Sequence, residues 1–196
     1  AKSKLEGEER ILKNFPLATI IRPSIVYSVD DNFTTNFMTL LNRLPIFPLY
    51  YEGKTKFAPI HCSDLTDVIF NVITNNVNSK IIECVGPEII SFKEIIEKLL
   101  NLIGKKRLLI PMPLPIAQMS ARVFEIMPKP LLTRDQLKLL KYDNVLSGKY
   151  KSNSDIGVPS LRHFDEEVKK YCYMWREGGQ FSTEKYNSDN IDIKTT

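Results

Sequence analysis

The sequence predicts an α/β fold in which a short parallel sheet is joined to a mostly helical part. Three observations carry that prediction. Residues 1–14 are a charged, helix-forming stretch that breaks at Asn14-Phe15-Pro16 and feeds an apolar, β-branched run at 19–21. Such a run suits a strand covered on both faces of a parallel sheet. A second helix-then-strand signal follows: Leu65, Val68, Ile69, Val72 and Ile73 share one helical face, and an apolar run comes at 81–85. Third, Phe92, Ile95, Ile96, Leu99, Leu100 and Ile103 form an uninterrupted helical stripe. Helices that alternate with buried strands make a parallel α/β sheet.

Each element follows from its residues. The opening helix carries Lys4, Leu5, Gly7, Glu8 and Glu9. Arg22-Pro23 ends the first strand, because proline has no N–H to give to a ladder. A sheet of this kind needs several more strands, and the sequence downstream is not expected to supply them. Ile25-Val26-Tyr27 continue extended, and a polar loop covers 28–32. Asp30-Asp31-Asn32 cap a helix over 33–43, which Pro45 and Pro48 end. Two extended pieces, 47–51 and 56–60, are linked by a hairpin-type turn at Glu52-Gly53-Lys54. Ser63 or Asp64 is expected to cap the helix that carries Leu65.

Ser91-Phe92-Lys93-Glu94 is a capping box, and Gly104 fits the other end of that helix. The stretch 108–127 sets Pro111, Pro113 and Pro115 in an apolar context, then a helix with Ile116, Met119, Val123, Phe124 and Met127. Pro115 suits its first turn. This stretch is a candidate docking surface, with packing inside its own domain as the competing reading. Thr133-Arg134-Asp135-Gln136 is a second capping box. Phe164, Val168, Tyr171, Cys172 and Trp175 give a last amphipathic helix, and beyond Gly178-Gly179 the tail is polar.

Composition narrows the function. A chain of 196 residues, 43% hydrophobic and 26% charged, forms one large domain or two small ones. Its net charge of +4 is spread along the chain, and the longest basic cluster, Lys105-Lys106-Arg107, sits where a helix ends. There it complements the helix dipole, so nucleic acid is not an expected partner. The three cysteines, Cys62, Cys84 and Cys172, are far apart and only two histidines occur. That argues against a disulfide framework and against a metal site. No apolar run reaches the roughly 18 residues that cross a bilayer. His61 reads as structural, Asp64 and Asp67 as first-turn acids, and Tyr27 as a core residue with a satisfied hydroxyl or as a functional one.

A resemblance adds to this. A-K-S-K-L-E-G-E-E, an apolar helix end and I-I-R-P-S-I-V-Y resemble the middle of an extended short-chain dehydrogenase/reductase. In that family a Y-x-x-x-K helix is followed by a strand and R-P. Lys4 matches the family lysine, which bonds the nicotinamide ribose and favours the phenolate of the tyrosine. The tyrosine, the Gly-rich dinucleotide loop and the catalytic Ser or Thr would stand upstream of Ala1. Pro23, Ser24 and Ile25 match the turn beside the nicotinamide. The run A-P-I-H-C-S-D-L-T-D-V-I, the prolines 111–115, A-R-V-F-E, L-L-T-R-D-Q-L-K-L-L, D-N-V-L-S and W-R-E-G-G-Q-F narrow the match. Together, over about residues 1–181, they are similar to the NAD(P)H-binding accessory subunit of respiratory complex I and its bacterial relatives.

The resemblance implies the C-terminal portion of a Rossmann-type parallel sheet plus a mostly helical substrate-type subdomain. Residues 1–62 would be the nucleotide-domain remnant, 63–176 the C-terminal α/β subdomain and 177–196 a disordered tail. It implies NADP(H) or NAD(H) held by the full-length protein, with Lys4, Pro23, Ser24 and Ile25 at the cofactor and Lys4 also in any catalytic role. Complex I subunits and an N-terminal Rossmann half, on this or another chain, are the expected partners. The expected place is the cytoplasm, or the mitochondrial matrix in a eukaryote, peripheral to the inner membrane. The role is structural, without catalysis by this chain alone; the alternative is a nucleotide-sugar epimerase, dehydratase or reductase.

Overall fold

The computed structural model describes residues 2–77, 81–112 and 140–181. The second capping box, most of the proline-rich stretch and the end of the tail lie outside them. Helix α1 (Lys2–Asn14) is followed by strand β1 (Ile20–Pro23), which pairs in parallel with β6 (Ile81–Cys84) from Ile20 opposite Ile81 to Pro23 opposite Cys84. Strand β9 (Lys151–Ser152) continues the same sheet in parallel on the far side of β6. Strand β6 is the run expected at 81–85, whereas β9 falls in none of the expected strands. The short β9 lacks the apolar run that marks a buried strand, which hides it in sequence.

Among the described residues β1 is paired along one edge only and is half-buried rather than covered on both faces. Its inner face meets the helix α3 (Cys62–Thr74), and Ile60, Val68, Ile82 and Cys84 form a closed core there with Ile21, Leu65 and Val72 at its border. Burial pushes the Cys84 thiol up to about 11, as expected of an inert buried cysteine.

The second and larger core is helical. Helices α2 (Thr34–Arg43) and α4 (Phe92–Leu102) face each other across Met38, Leu41, Phe92, Ile95, Ile96 and Leu99, all buried. Rings of Phe33, Phe37, Phe47, Phe57 and Phe92 lie 5.0–6.4 Å apart in edge-on or tilted pairs, the arrangement that aromatic quadrupoles favour. Asp31 starts α2 as expected: its carboxylate accepts from the backbone N–H of Phe33 at 2.7 Å and of Thr35 at 3.2 Å. The Ser91–Glu94 capping box closes in both directions, and Gly104 takes the left-handed conformation that ends α4.

The hairpin expectation fails. Strand β3 (Ile46–Tyr50) pairs in parallel with β8 (Leu108–Met112), while β4 (Lys56–Phe57) pairs antiparallel with β7 (Ile90–Ser91). Tyr51, Glu52 and Gly53 all take positive φ, at 51°, 59° and 70°. Two left-handed residues make a hairpin turn, and a third carries the chain past it. Two smaller expectations also change. The cap of α3 is His61, whose Nδ1 accepts from the N–H of Ser63 at 3.3 Å, rather than Ser63 or Asp64. The last helix is two pieces, α5 (Phe164–Lys169) and a 3₁₀ turn at Cys172–Trp175, because buried Tyr171 turns in to meet Thr34 Oγ1 at 2.8 Å.

Candidate functional site

The site is built where β1 and β6 end. Glu8 of α1 grips Arg22 of β1 in a two-pronged pair, with Arg22 Nη2 2.5 Å from Oε2 and Nε 3.1 Å from Oε1. The arginine also lies over the Tyr150 ring, 4.9 Å from its centre. Hydrogen bonds from Arg22 hold the Glu8 carboxyl below the usual carboxylate range. Since Asn14 leads into the start of β1 and Glu8 meets its third residue, helix and strand run antiparallel. Lys4 is one turn before Glu8 on the same helical face, about 6 Å further along the axis. Exposed Lys4 therefore stands on the helix that the clasp holds against β1, and ligands of open α/β sheets bind at the carboxyl ends of the strands.

The turn Pro23–Ser24–Ile25 occupies that end. Pro23 is exposed. Buried Ser24 donates its N–H to the Cys84 carbonyl at 2.9 Å and its hydroxyl to the Asn144 carbonyl at 2.9 Å. The Ile25 carbonyl accepts from Ile60 N at 2.9 Å. Ser24 and Ile25 thus spend these groups on holding the turn, leaving Pro23 and Lys4 as the exposed members of the predicted set. Pro23, Ser24 and Ile25 form one turn, and Lys4 stands on a different element, α1.

Residues that the sequence reading passed over fix this end of the sheet. Asn144 N donates to Lys56 O at 2.8 Å, and Ala58 N to Asn144 O at 3.1 Å. Asn144 belongs to the D-N-V-L-S segment, so its presence was legible while its contacts were not. Asn153, 1% exposed, accepts from Val85 N at 3.0 Å and donates to Val158 O and Ser160 Oγ at 3.1 Å each. Gly86 follows with no room for a side chain: a Cβ would stand 1.7 Å from the Pro59 carbonyl oxygen.

Behind the turn lies a buried polar cluster. Tyr27 is fully buried, stacks edge-on to His61 and donates its hydroxyl to Arg162 O at 3.2 Å, which settles it as a satisfied core residue. Burial drives its phenol far above the ordinary range. Asp64 is more than a first-turn acid: it is buried and binds both the Arg162 guanidinium and the Arg162 N–H, the latter at 3.2 Å. His61 Nε2 faces Glu167 at 3.9 Å, and burial holds its pKa below the ordinary value against the pull of that carboxylate. No cluster of metal-ligating side chains occurs among the described residues, and none of their helices is long and apolar enough to cross a membrane.

Comparison with known proteins places this architecture. No family model matches the chain. A curated relative, the mitochondrial NADH dehydrogenase (ubiquinone) 1 alpha subcomplex subunit 9 of Arabidopsis thaliana, is 26% identical over 191 residues, or 91% of this chain and 47% of that protein. Its Rattus norvegicus counterpart is 28% identical over 183 residues, covering 89% of this chain and 48% of the other. The chain is similar to these complex I subunits over most of its own length. It spans about half the length of the curated relatives it matches.

Solved structures agree at the level of fold. A human epimerase family protein with NADPH matches with a TM-score of 0.57 at 17% identity, over 79% of this chain and 48% of the other. A dTDP-glucose 4,6-dehydratase from Bacillus anthracis in complex with NAD matches at 0.56 and 14% identity, over 85% of this chain and 47% of the other.

Proposed function

We propose that this chain forms the C-terminal part of an NAD(P)(H)-binding accessory subunit of the complex I type, with a structural or assembly role and no catalysis of its own. The observation that supports the reading is the Glu8–Arg22 clasp, which holds the helix that carries exposed Lys4 against β1, the strand that ends in exposed Pro23. Lys4 would bond the nicotinamide ribose, and Pro23 would line the nicotinamide end. Ser24 and Ile25 would hold that turn in place from within. The bound NADP(H) or NAD(H) would stabilise the folded state by mass action, since it meets only that state.

The outer edge of β1, unpaired among the described residues, supports a partner half. α1 also leaves Leu5, Ile11 and, just after it, Phe15 and Leu17 exposed. An upstream nucleotide-binding half, on this or another chain, would pair with that edge and cover those side chains. Complex I subunits would be the further partners, at the inner membrane on the matrix side in a eukaryote or on the cytoplasmic side in a bacterium. The relatives' names, which are those of mitochondrial NADH dehydrogenase subunits, support association with that complex.

The test is capture of the native protein from its source, followed by mass spectrometry of co-purifying proteins and of any nucleotide released on denaturation. Complex I subunits together with a stoichiometric nicotinamide dinucleotide are expected. Recovery of the protein free of both would overturn the proposal.

A further inference from the structure

Helices α1 and α3 lie on opposite faces of the β1/β6/β9 sheet. Along β1, Arg22 reaches Glu8 of α1. Ile21, one residue earlier and so on the other face, borders the α3 core together with Leu65 and Val72. The sheet therefore carries a helix on each face, and the outer edge of β1 between them is unpaired among the described residues.

The two flanks of α3 differ in chemistry. Leu65, Val68 and Val72 face the sheet. At about 100° per residue, Asp64 and Asp67 fall on one flank and Ile69 and Ile73 on the other, with Phe70 beyond them on the outer side. The acidic flank is engaged: Asp64 and Asp67 both accept from the Arg162 guanidinium, Asp67 at 3.3 Å. Arg162 follows Ser160, which accepts from Asn153 at 3.1 Å and donates to the Val85 carbonyl at 2.7 Å. Asn153 comes directly after β9, so the acidic flank lies on the β9 side of β6. The apolar flank points the other way, over the open edge of β1, and Ile69, Phe70 and Ile73 are all exposed there. Met112 and Leu140, the described residues on either side of 113–139, both pack on Tyr50 of β3, in a cluster separate from the α3 core.

A strand added to β1 extends both faces of the sheet, and a parallel sheet needs helices over both. A partner that met α1 alone would leave Ile69, Phe70 and Ile73 in water beside the new strand. The curated relatives have the length for such a partner, since this chain matches only 47% and 48% of them. We infer that the partner half straddles the edge of the sheet and packs apolar helix surface against Ile69, Phe70 and Ile73 of α3 as well as against α1. This rests on the partner half proposed above and adds to it a second contact face, on the side of the sheet opposite the helix of Lys4.

The test is hydroxyl-radical footprinting, read by mass spectrometry, of this chain alone and joined to its upstream half. Ile69, Phe70 and Ile73 should lose most of their labelling on joining, while Leu161, exposed and two residues from the end of the Asn153–Ser160 link, keeps its own. Phe70→Ser with Ile73→Ser should weaken pairing of the two halves about tenfold to a hundredfold. Both side chains are exposed, so the chain's own core is untouched. Leu161→Ser should leave pairing within about twofold of the parent. Protection of Leu5 and Phe15 with undiminished labelling on α3 would overturn the inference and leave the partner-half reading standing. Protection of neither helix would overturn both. Protection of α3 in the chain alone that grows with its concentration would also overturn the inference, because a second copy would then be the occupant.

Discussion

Replacing Asn153 should cost more stability than its modest size suggests. The side chain is 1% exposed and closes three hydrogen bonds between β6, the segment after β9 and Ser160. Truncation to Ala leaves the Val85 N–H and the Val158 carbonyl without these partners in a buried place. Each orphaned group costs about 1–3 kcal/mol, so the expected loss is about 2–5 kcal/mol. A water admitted to the vacated space would bring Asn153→Ala to the lower end of that range. Asn153→Leu keeps the volume and excludes the water, so it should fall at the upper end. Urea unfolding followed by circular dichroism measures both, with unchanged m-values as the check on a common mechanism. A loss below about 1 kcal/mol for the Leu variant would refute the reasoning, because it would mean that these bonds contribute no net stability.

Other positions give sharper but smaller tests. Glu8→Gln should destabilise the chain by about 1 kcal/mol at neutral pH. Its folded pKa lies below the ordinary 4.5, so the clasp's contribution is complete above that pH and disappears as pH falls through the folded value; stability curves of the parent and Glu8→Gln should therefore converge in acid. His61 is held below its ordinary 6.5 by burial, so the unfolded chain takes up this proton first and stability falls as pH drops below 6.5. His61→Gln should flatten that fall between about pH 7 and pH 5, read by thermal melts. Gly86→Ala drives a Cβ into the Pro59 carbonyl and should cost about 3 kcal/mol or more, or leave no folded protein to melt.

Local rules were legible and long-range ones were not. The capping box at Ser91, the α4 stripe and the Gly104 stop depend on residues within one or two turns of each other, and all three stand as read. Pairing partners depend on chain brought from far away. Nothing near Pro48 announces that it will lie opposite Ile110, so the turn at 52–54 read as a hairpin when the strands beside it go elsewhere. The stripe on α3 shows the same limit. Val68 is buried, but Ile69 and Ile73 are 41% and 70% exposed, since the described strands beneath do not cover the whole face. In the site, Lys4 and the 23–25 turn came from a resemblance to a family motif. The clasp that relates them, Glu8 to Arg22, and the buried Asp64–Arg162 pair came only with the fold, because both join residues whose separation in sequence carries no periodic signal.

The most direct test of the account is calorimetric titration of NADPH and NADH into three samples: the chain alone, the chain with its upstream half supplied, and that complemented pair carrying Lys4→Ala. The account predicts no saturable binding by the chain alone, binding by the pair, and a loss of about tenfold or more with Lys4→Ala. Tight dinucleotide binding by the chain alone, or by the pair with no dependence on Lys4, would contradict it.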